Sequence, residues 1–243
     1  MSPPTTEAGS GAETAAAIGW HVTMSFYERF LKKKPQQSRS RSMVDAILVS
    51  ALERIADARS DEDEEGGVSV HEVAARAGVG IGSLYDYFRD RGSLLSAAAA
   101  KVAQDNLDAF HALLAETSPL PLREAIENVM DFALQTYTAD PQKVRAIIRL
   151  TARLNLLTTI ARSQTLFAAS LAEAMKRRTD VHVADIDSAS WMVTQALMGV
   201  VIALVWNDDP LDHRAIRDAT VEMFVGYLGG NPTAAPVTDA KPP

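Results

Sequence analysis

The residue types able to do chemistry in this chain point away from bond breaking and toward phosphate contact. Cysteine is absent from all 243 residues, which removes disulfides, thiolate metal sites and thiol nucleophiles. The five histidines, His21, His71, His111, His182 and His213, are scattered, with no pair at i, i+4, so no metal site is expected. There is no Gly-rich phosphate loop and no recognisable nucleophile, base and acid set, so the chain reads as a non-enzyme without a cofactor. Against a net charge of -7, Arg29, Lys32, Lys33, Lys34, Arg39 and Arg41 form a local basic run, and Asp61 to Glu65 an acidic one. A basic run suits phosphate contact or is a solvated linker; a DNA-reading motif nearby favours the first.

Such a motif lies just downstream. Within Val70 to Phe88, Ala74 is small where two crossing helices approach closely, and Gly78 can take the positive φ of a sharp turn. Val73, Val79 and Leu84 supply buried contacts, which together make a helix-turn-helix signature.

The elements that must position this motif follow from apolar spacing. With 47% apolar residues the chain can bury a sizeable core. Residues 1–19 are small and polar without apolar period, so they are expected to be disordered and carry no secretory signal. Trp20, Met24, Tyr27 and Leu31 trace one stripe of an added helix, so residues 20–38 are read as an extra helix and basic arm. Val44, Ile47, Leu48, Ala51, Leu52 and Ile55 mark a helix over 43–58. After the acidic run and Gly66-Gly67, Ser69 and Glu72 read as a capping box opening the next helix near Val70. Further helices are predicted over 93–115, 121–138, 141–152 (Asp140 its N-cap), 155–178, 185–206 and 212–228, and residues 231–243 as a disordered tail. No sustained period-two alternation and no repeat is present, so the fold class is all-α. Ser188 to Trp206 is uncharged and near membrane-spanning length, but the amphipathic helix and polar tail after it fit a buried interface helix better than a span.

Ser83-Leu84-Tyr85-Asp86-Tyr87-Phe88, with Leu94-Leu95 downstream, resembles the TetR family of one-component regulators, whose pattern is serine or threonine, Leu-Tyr, a variable residue, then Tyr-Phe. The detailed resemblance spans about residues 41–102. It implies an N-terminal three-helix DNA-binding domain over 39–90, and a C-terminal helical ligand-binding and dimerisation domain over 91–230. It implies that the helix at 80–88 enters the major groove of a double-stranded operator, with Ser83, Tyr85 and Tyr87 touching phosphates or base edges and Leu84 and Phe88 in the core. Arg91 then holds a phosphate or is a solvated arginine, and His71 faces DNA or is merely exposed. Gly80-Ile81 departs from the usual polar pair: Ile81 could meet a thymine methyl, and Gly80 or Gly82 could allow close backbone approach. The loop at 58–68 is longer and more acidic than usual, and the upstream basic run, including Arg41, could reach a minor groove as a flexible arm.

The same resemblance implies a cytoplasmic homodimer through the last two helices, and a cavity for a small-molecule effector. Trp191, Leu197, Val200, Val201 and Leu204, with small Gly199 and Ala203, give one helix so much apolar surface that it must be buried on more than one side; Ile216, Val221, Phe224, Val225 and Leu228 follow on the next. Phe110, Met130, Tyr137, Phe167, Trp191 and Gln195 mix apolar walls with polar anchors and are candidate cavity residues, or ordinary core. Arg149 and Arg153 either bind an anionic ligand or point outward. The function implied is a ligand-responsive DNA-binding regulator, a repressor released by a small molecule, with activation left open because promoter geometry sets the sign.

Overall fold

The computed structural model describes residues 26–57, 68–207 and 212–230. Trp20 and Met24, the acidic run at 61–65 and both expected disordered tails lie outside the described residues. After one 3-10 turn at Glu28–Phe30, the chain forms α1 (Ser38–Asp57), α2 (Val70–Arg76), α3 (Ile81–Tyr87), α4 (Arg91–Thr117), α5 (Leu122–Thr138), α6 (Pro141–Arg153), α7 (Leu157–Met175), α8 (Ile186–Trp206) and α9 (His213–Leu228). No strand occurs among the described residues.

The helix starts show how local chemistry sets the boundaries. Helix α1 begins five residues before its first expected position, because Ser40 Oγ donates to the Gln37 carbonyl while accepting from the Gln37 N–H. Only half of the expected capping box forms on α2: Ser69 Oγ accepts from the Glu72 N–H at 3.5 Å, but the Glu72 carboxylate turns to Arg54 on α1. A guanidinium partner outcompetes a neutral amide for that carboxylate. A reciprocal box appears instead at α4, where Asp90 Oδ1 accepts from the Ser93 N–H at 2.7 Å and Ser93 Oγ accepts from the Asp90 N–H at 3.1 Å. Asp140 caps α6 by accepting from the Lys143 N–H at 3.0 Å, with Pro141 in the first turn as its fixed φ predicts.

The helix expected over 155–178 is shorter at both ends, with Lys176 as its C-cap and Arg177 and Arg178 in the turn that follows. Helix α7 stops at Met175, and Arg178 turns back to donate to the Leu120 carbonyl at 2.8 Å and to both oxygens of Asp180. Asp180 in turn accepts from the Leu122 N–H at 2.9 Å, capping α5, whose N-cap position is occupied by Pro121. The Arg178 guanidinium holds the Asp180 carboxyl below its ordinary pKa.

Packing divides into a head core and a body core. Val44, Ile47, Leu48, Val73, Leu84, Phe88 and Leu94 fill the head, and Ala146, Ile147 and Leu150 from α6, with its C-cap Leu154, pack against that same cluster. The body core joins α5, α7, α8 and α9 through Ile126, Met130, Met175, Val193, Val221 and Phe224. Buried His111 on α4 lies 2.6 Å from Ser170 Oγ on α7, and burial lowers its pKa. Helix α9 is held to α5 by Arg123–Glu222 and Arg217–Asp131 pairs, exposed contacts that fix geometry more than stability.

The segment before α1 departs most from expectation. Its described part is the 3-10 turn followed by extended Leu31, and Phe26 is buried against Ala100 and Leu107 of α4 with its N–H donating to Gln104 Oε1 at 3.1 Å. Docking onto α4 overrides the helical stripe over this stretch. Phe26→Ala is therefore expected to lower stability by about 3 kcal/mol in urea unfolding, the scale for emptying a buried aromatic site. An unperturbed midpoint would mean that the segment is only loosely attached.

Candidate nucleic-acid interface and ligand cavity

Helices α2 and α3 meet at a turn made by Gly78 at φ +67, with the Gly78 N–H donating to the Ala75 carbonyl and the Val79 N–H to the Ala74 carbonyl. A side chain at that φ would be strained, which explains glycine there. Ala74 is buried at the crossing, and Val73, Leu84 and Phe88 are fully enclosed. Anchored from behind in this way, the seven residues of α3 turn the opposite face outward.

That outward face carries Gly82 and Tyr85, with Gly80 as the N-cap and Ser83 half-buried beside them. A Cβ added at Gly80 or Gly82 would meet nothing within 4 Å, so neither glycine is demanded by the protein's own packing. Ile81 and Tyr87 are half-buried and rest partly against the head core. His71 is exposed at the first turn of α2, and Arg41 is exposed on α1 with Nη2 donating to the Gln36 carbonyl at 3.3 Å. Arg91 is half-buried, and its Nε donates to the Val68 carbonyl at 2.9 Å, fixing the entry to α2.

Sequence reasoning missed how the basic segment meets this face. The Lys32 N–H donates to the Tyr87 carbonyl and Lys32 Nζ to the Tyr85 carbonyl, each at 2.8 Å, so Lys32 caps the end of α3. Lys33 Nζ lies 4.8 Å from the Tyr87 ring centre. No local pattern announces these contacts, whereas the Asp90-x-x-Ser93 box beside them is a local signal carried by residue type and spacing.

A cavity of about 520 Å³ opens between α4, α5, α6, α7 and α8, touching α1 at Leu52. Val102, Val144, Ile148, Ile160 and Met198 give it apolar walls, within the size range of small-molecule sites. Tyr137 and Phe167 line it as well. Burial raises the Tyr137 phenol pKa, opposed by a hydrogen bond with Asn106, so the group stays neutral. Lys143 on α6 is the cation among the described lining residues, and the lining carboxylates are Asp105 on α4, paired with Lys101 at 2.7 Å, and Asp140, the cap of α6.

The other candidate ligand residues lie elsewhere. Phe110 is buried behind Phe167, with ring centres 5.1 Å apart, and Met130 lines a second cavity of about 70 Å³ in the body core. Arg149 and Arg153 are exposed; the Arg149 guanidinium sits 5.5 Å from the Trp206 ring centre. Gln195 is half-buried and Trp191 exposed, and neither lines either cavity.

On α8 and α9 the structure sorts the apolar residues into two sets. Val201, Leu204, Val221, Phe224 and Leu228, named from sequence as interface candidates, are buried within their own chain. Trp191, Met192, Ile202, Trp206, Met223 and Tyr227 remain exposed, beside Gly199 and Gly226, where an added Cβ would meet nothing. Helix α8 is long and apolar enough to cross a membrane, with mean hydropathy 1.7, yet its other face is built into the body core.

Residues 66–98 match the family model described as bacterial regulatory proteins, tetR family, and residues 121–228 match the one described as tetracyclin repressor-like, C-terminal domain. No curated protein matches the chain. Among solved structures, a TetR-family transcriptional regulator of Mesorhizobium loti is 18% identical, with 80% of this chain and 100% of that one covered at TM-score 0.63. The multidrug binding protein EbrR, complexed with imidazole, is 17% identical over 82% of this chain and all of its own at TM-score 0.53. FadR of Bacillus subtilis, complexed with stearoyl-CoA, is 17% identical over 76% and 98% of the two chains at TM-score 0.52. With its DNA-reading helices and most of its body matched by models of one family, the chain belongs to the TetR family of regulatory proteins.

Proposed function

We propose that this ligand-responsive DNA-binding regulator is a cytoplasmic homodimeric repressor whose 39–90 segment grips operator DNA and whose 91–230 segment binds the effector that releases it. The observation that carries the reading is the position of α6. One side of this helix lines the cavity through Lys143, Val144 and Ile148, and the other packs on the head core through Ala146 and Leu150. Ile147 takes part in both. A ligand that fits the cavity in only one placement of α6 binds the two head arrangements with different affinity, and that difference is all an effector needs to shift the population.

In this reading Gly80, Ile81, Gly82, Ser83, Tyr85 and Tyr87 face the operator, with His71, Arg41 and Arg91 at its edges. Tyr137 and Phe167 contact the effector, while Phe110 supports Phe167 from behind. The ligands bound to EbrR and FadR support the general proposal of a cavity-borne signal but not a particular compound. The mostly apolar walls, with a neutral phenol, Lys143 and the carboxylates Asp105 and Asp140, suit a compound with an apolar body and a polar end.

The test is to let the intact protein select a duplex from a random-sequence pool, measure binding by fluorescence anisotropy, and screen small molecules for release. Ile148→Trp, which fills the cavity, is expected to keep operator affinity within about threefold while raising the concentration of an active compound needed for release at least tenfold. Release that is equally sensitive in Ile148→Trp would place the effector elsewhere; failure to select any duplex would remove the DNA-binding proposal.

A further inference from the structure

We infer that residues 26–41 form a second DNA-contacting element, a basic strap docked on the end of the reading helix and directed at the phosphate backbone flanking the groove that α3 enters. The inference rests on α3 reading DNA as proposed above. Three observations carry it.

The strap has a fixed position. Phe26 is buried on α4, Leu31 joins the head core and Pro35 is buried, so the intervening lysines are held at both ends. Gln37 and Ser40 bind one another where the strap becomes α1. An element fixed in this way offers its charges without the ordering cost of a flexible arm.

The strap is joined to the reading helix itself. Lys32 binds the carbonyls of Tyr85 and Tyr87 through its side chain and backbone, and Lys33 lies over the Tyr87 ring. The tyrosines proposed to meet DNA thus share their helix end with the lysines, which makes the basic surface continuous with the reading face.

The charge balance favours an anionic partner. Lys32, Lys33, Lys34, Arg39 and Arg41 are all exposed. The nearby carboxylates are Glu28, 2.9 Å from Lys34 Nζ, and Asp86, 3.8 Å from Lys33 Nζ. Half-buried Glu28 and exposed Asp86 stand against these five cations, with exposed Arg29 a sixth in the same segment, which leaves positive charge in excess in a chain whose net charge is -7. The Lys33–Asp86 contact is loose and mostly solvated, so exchanging it for a phosphate costs little. Backbone phosphate is the partner this surface fits, because exposed cations on consecutive residues suit a line of charges, and contacts to phosphate need no base-edge recognition.

The experiment compares the intact protein with the Lys33→Gln, Lys34→Gln, Arg39→Gln triple variant on the duplex selected by the intact protein and on an unrelated duplex, between about 50 and 200 mM salt. The slope of log affinity against log salt is expected to fall in magnitude by about 2 to 3, since each lost phosphate contact removes about 0.9. Affinity for both duplexes should drop together, leaving their ratio unchanged. If the triple variant unfolds, Lys34→Gln and Arg39→Gln are measured singly, each expected to reduce the slope by about 0.9. An unchanged slope in folded variants would overturn the inference and leave the strap as a cap on α3. An intact protein that selects no duplex would instead overturn the DNA-reading proposal, and the strap's role with it.

Discussion

Gly82→Glu is expected to melt at a higher temperature than the unmodified chain and yet bind its selected duplex at least about thirty-fold more weakly, a loss of roughly 2 kcal/mol. The stability gain follows from position. Gly82 is in the first turn of α3, where glycine is a poorer helix former than glutamate by about 0.5 kcal/mol and a carboxylate complements the positive helix end. Nothing within the protein opposes the new side chain, because an added Cβ meets no atom within 4 Å. The same openness makes the substitution harmful to DNA binding: the side chain projects from the face proposed to enter the groove and brings a negative charge toward phosphates. Most substitutions that abolish binding also loosen the fold, so opposite signs in the two assays identify the surface as the contact. Thermal unfolding and anisotropy on one preparation suffice, and undiminished affinity would move the reading face away from Gly82.

The helix-turn-helix was legible because its determinants are local: a positive φ needs Gly78, a close crossing needs Ala74, and Leu84 is buried by helical spacing alone. The strap was not legible, because Lys32 meets Tyr85 and Phe26 meets Gln104 across 53 and 78 residues of chain. Of its stripe only Tyr27 and Leu31 fall among the described residues, and there a 3-10 turn and extended backbone accompany the docking of Phe26 on α4, a contact that spacing does not encode. The ligand candidates divide for a related reason. Tyr137 and Phe167 reach the larger cavity, whereas Arg149 and Trp191, on equally central helices, face outward. Helix α8 is apolar around most of its circumference, so periodicity has no polar side from which to infer the orientation of the rest. Asp180 and Arg178 show the same limit in polar form, since a carboxylate in a loop after α7 satisfies the first N–H of α5, 58 residues away.

Met192→Glu combined with Met223→Glu is expected to convert the protein from dimer to monomer in sedimentation equilibrium and to weaken operator binding at least roughly a hundredfold. Both methionines are more than half exposed, at 53% and 52%, in an apolar stripe with Trp191, Ile202 and Tyr227. Gly199 and Gly226 lie beside that stripe with free space above them, allowing a second pair of helices to approach closely. Burying such side chains in a partner contributes about 1.5 to 3 kcal/mol each, whereas an unpaired carboxylate in the same place costs several kcal/mol. A symmetric interface repeats each substitution, so four carboxylates would face one another. Within the single chain the substitutions are benign, because Val193, Val221 and Phe224 on the opposite sides of these helices carry the body core. A folded monomer would keep its reading helix and strap but present one of each to the operator, losing the second engagement that linkage makes nearly intramolecular. A variant that stays dimeric would place the subunit contact on another surface and leave the exposed stripe unexplained.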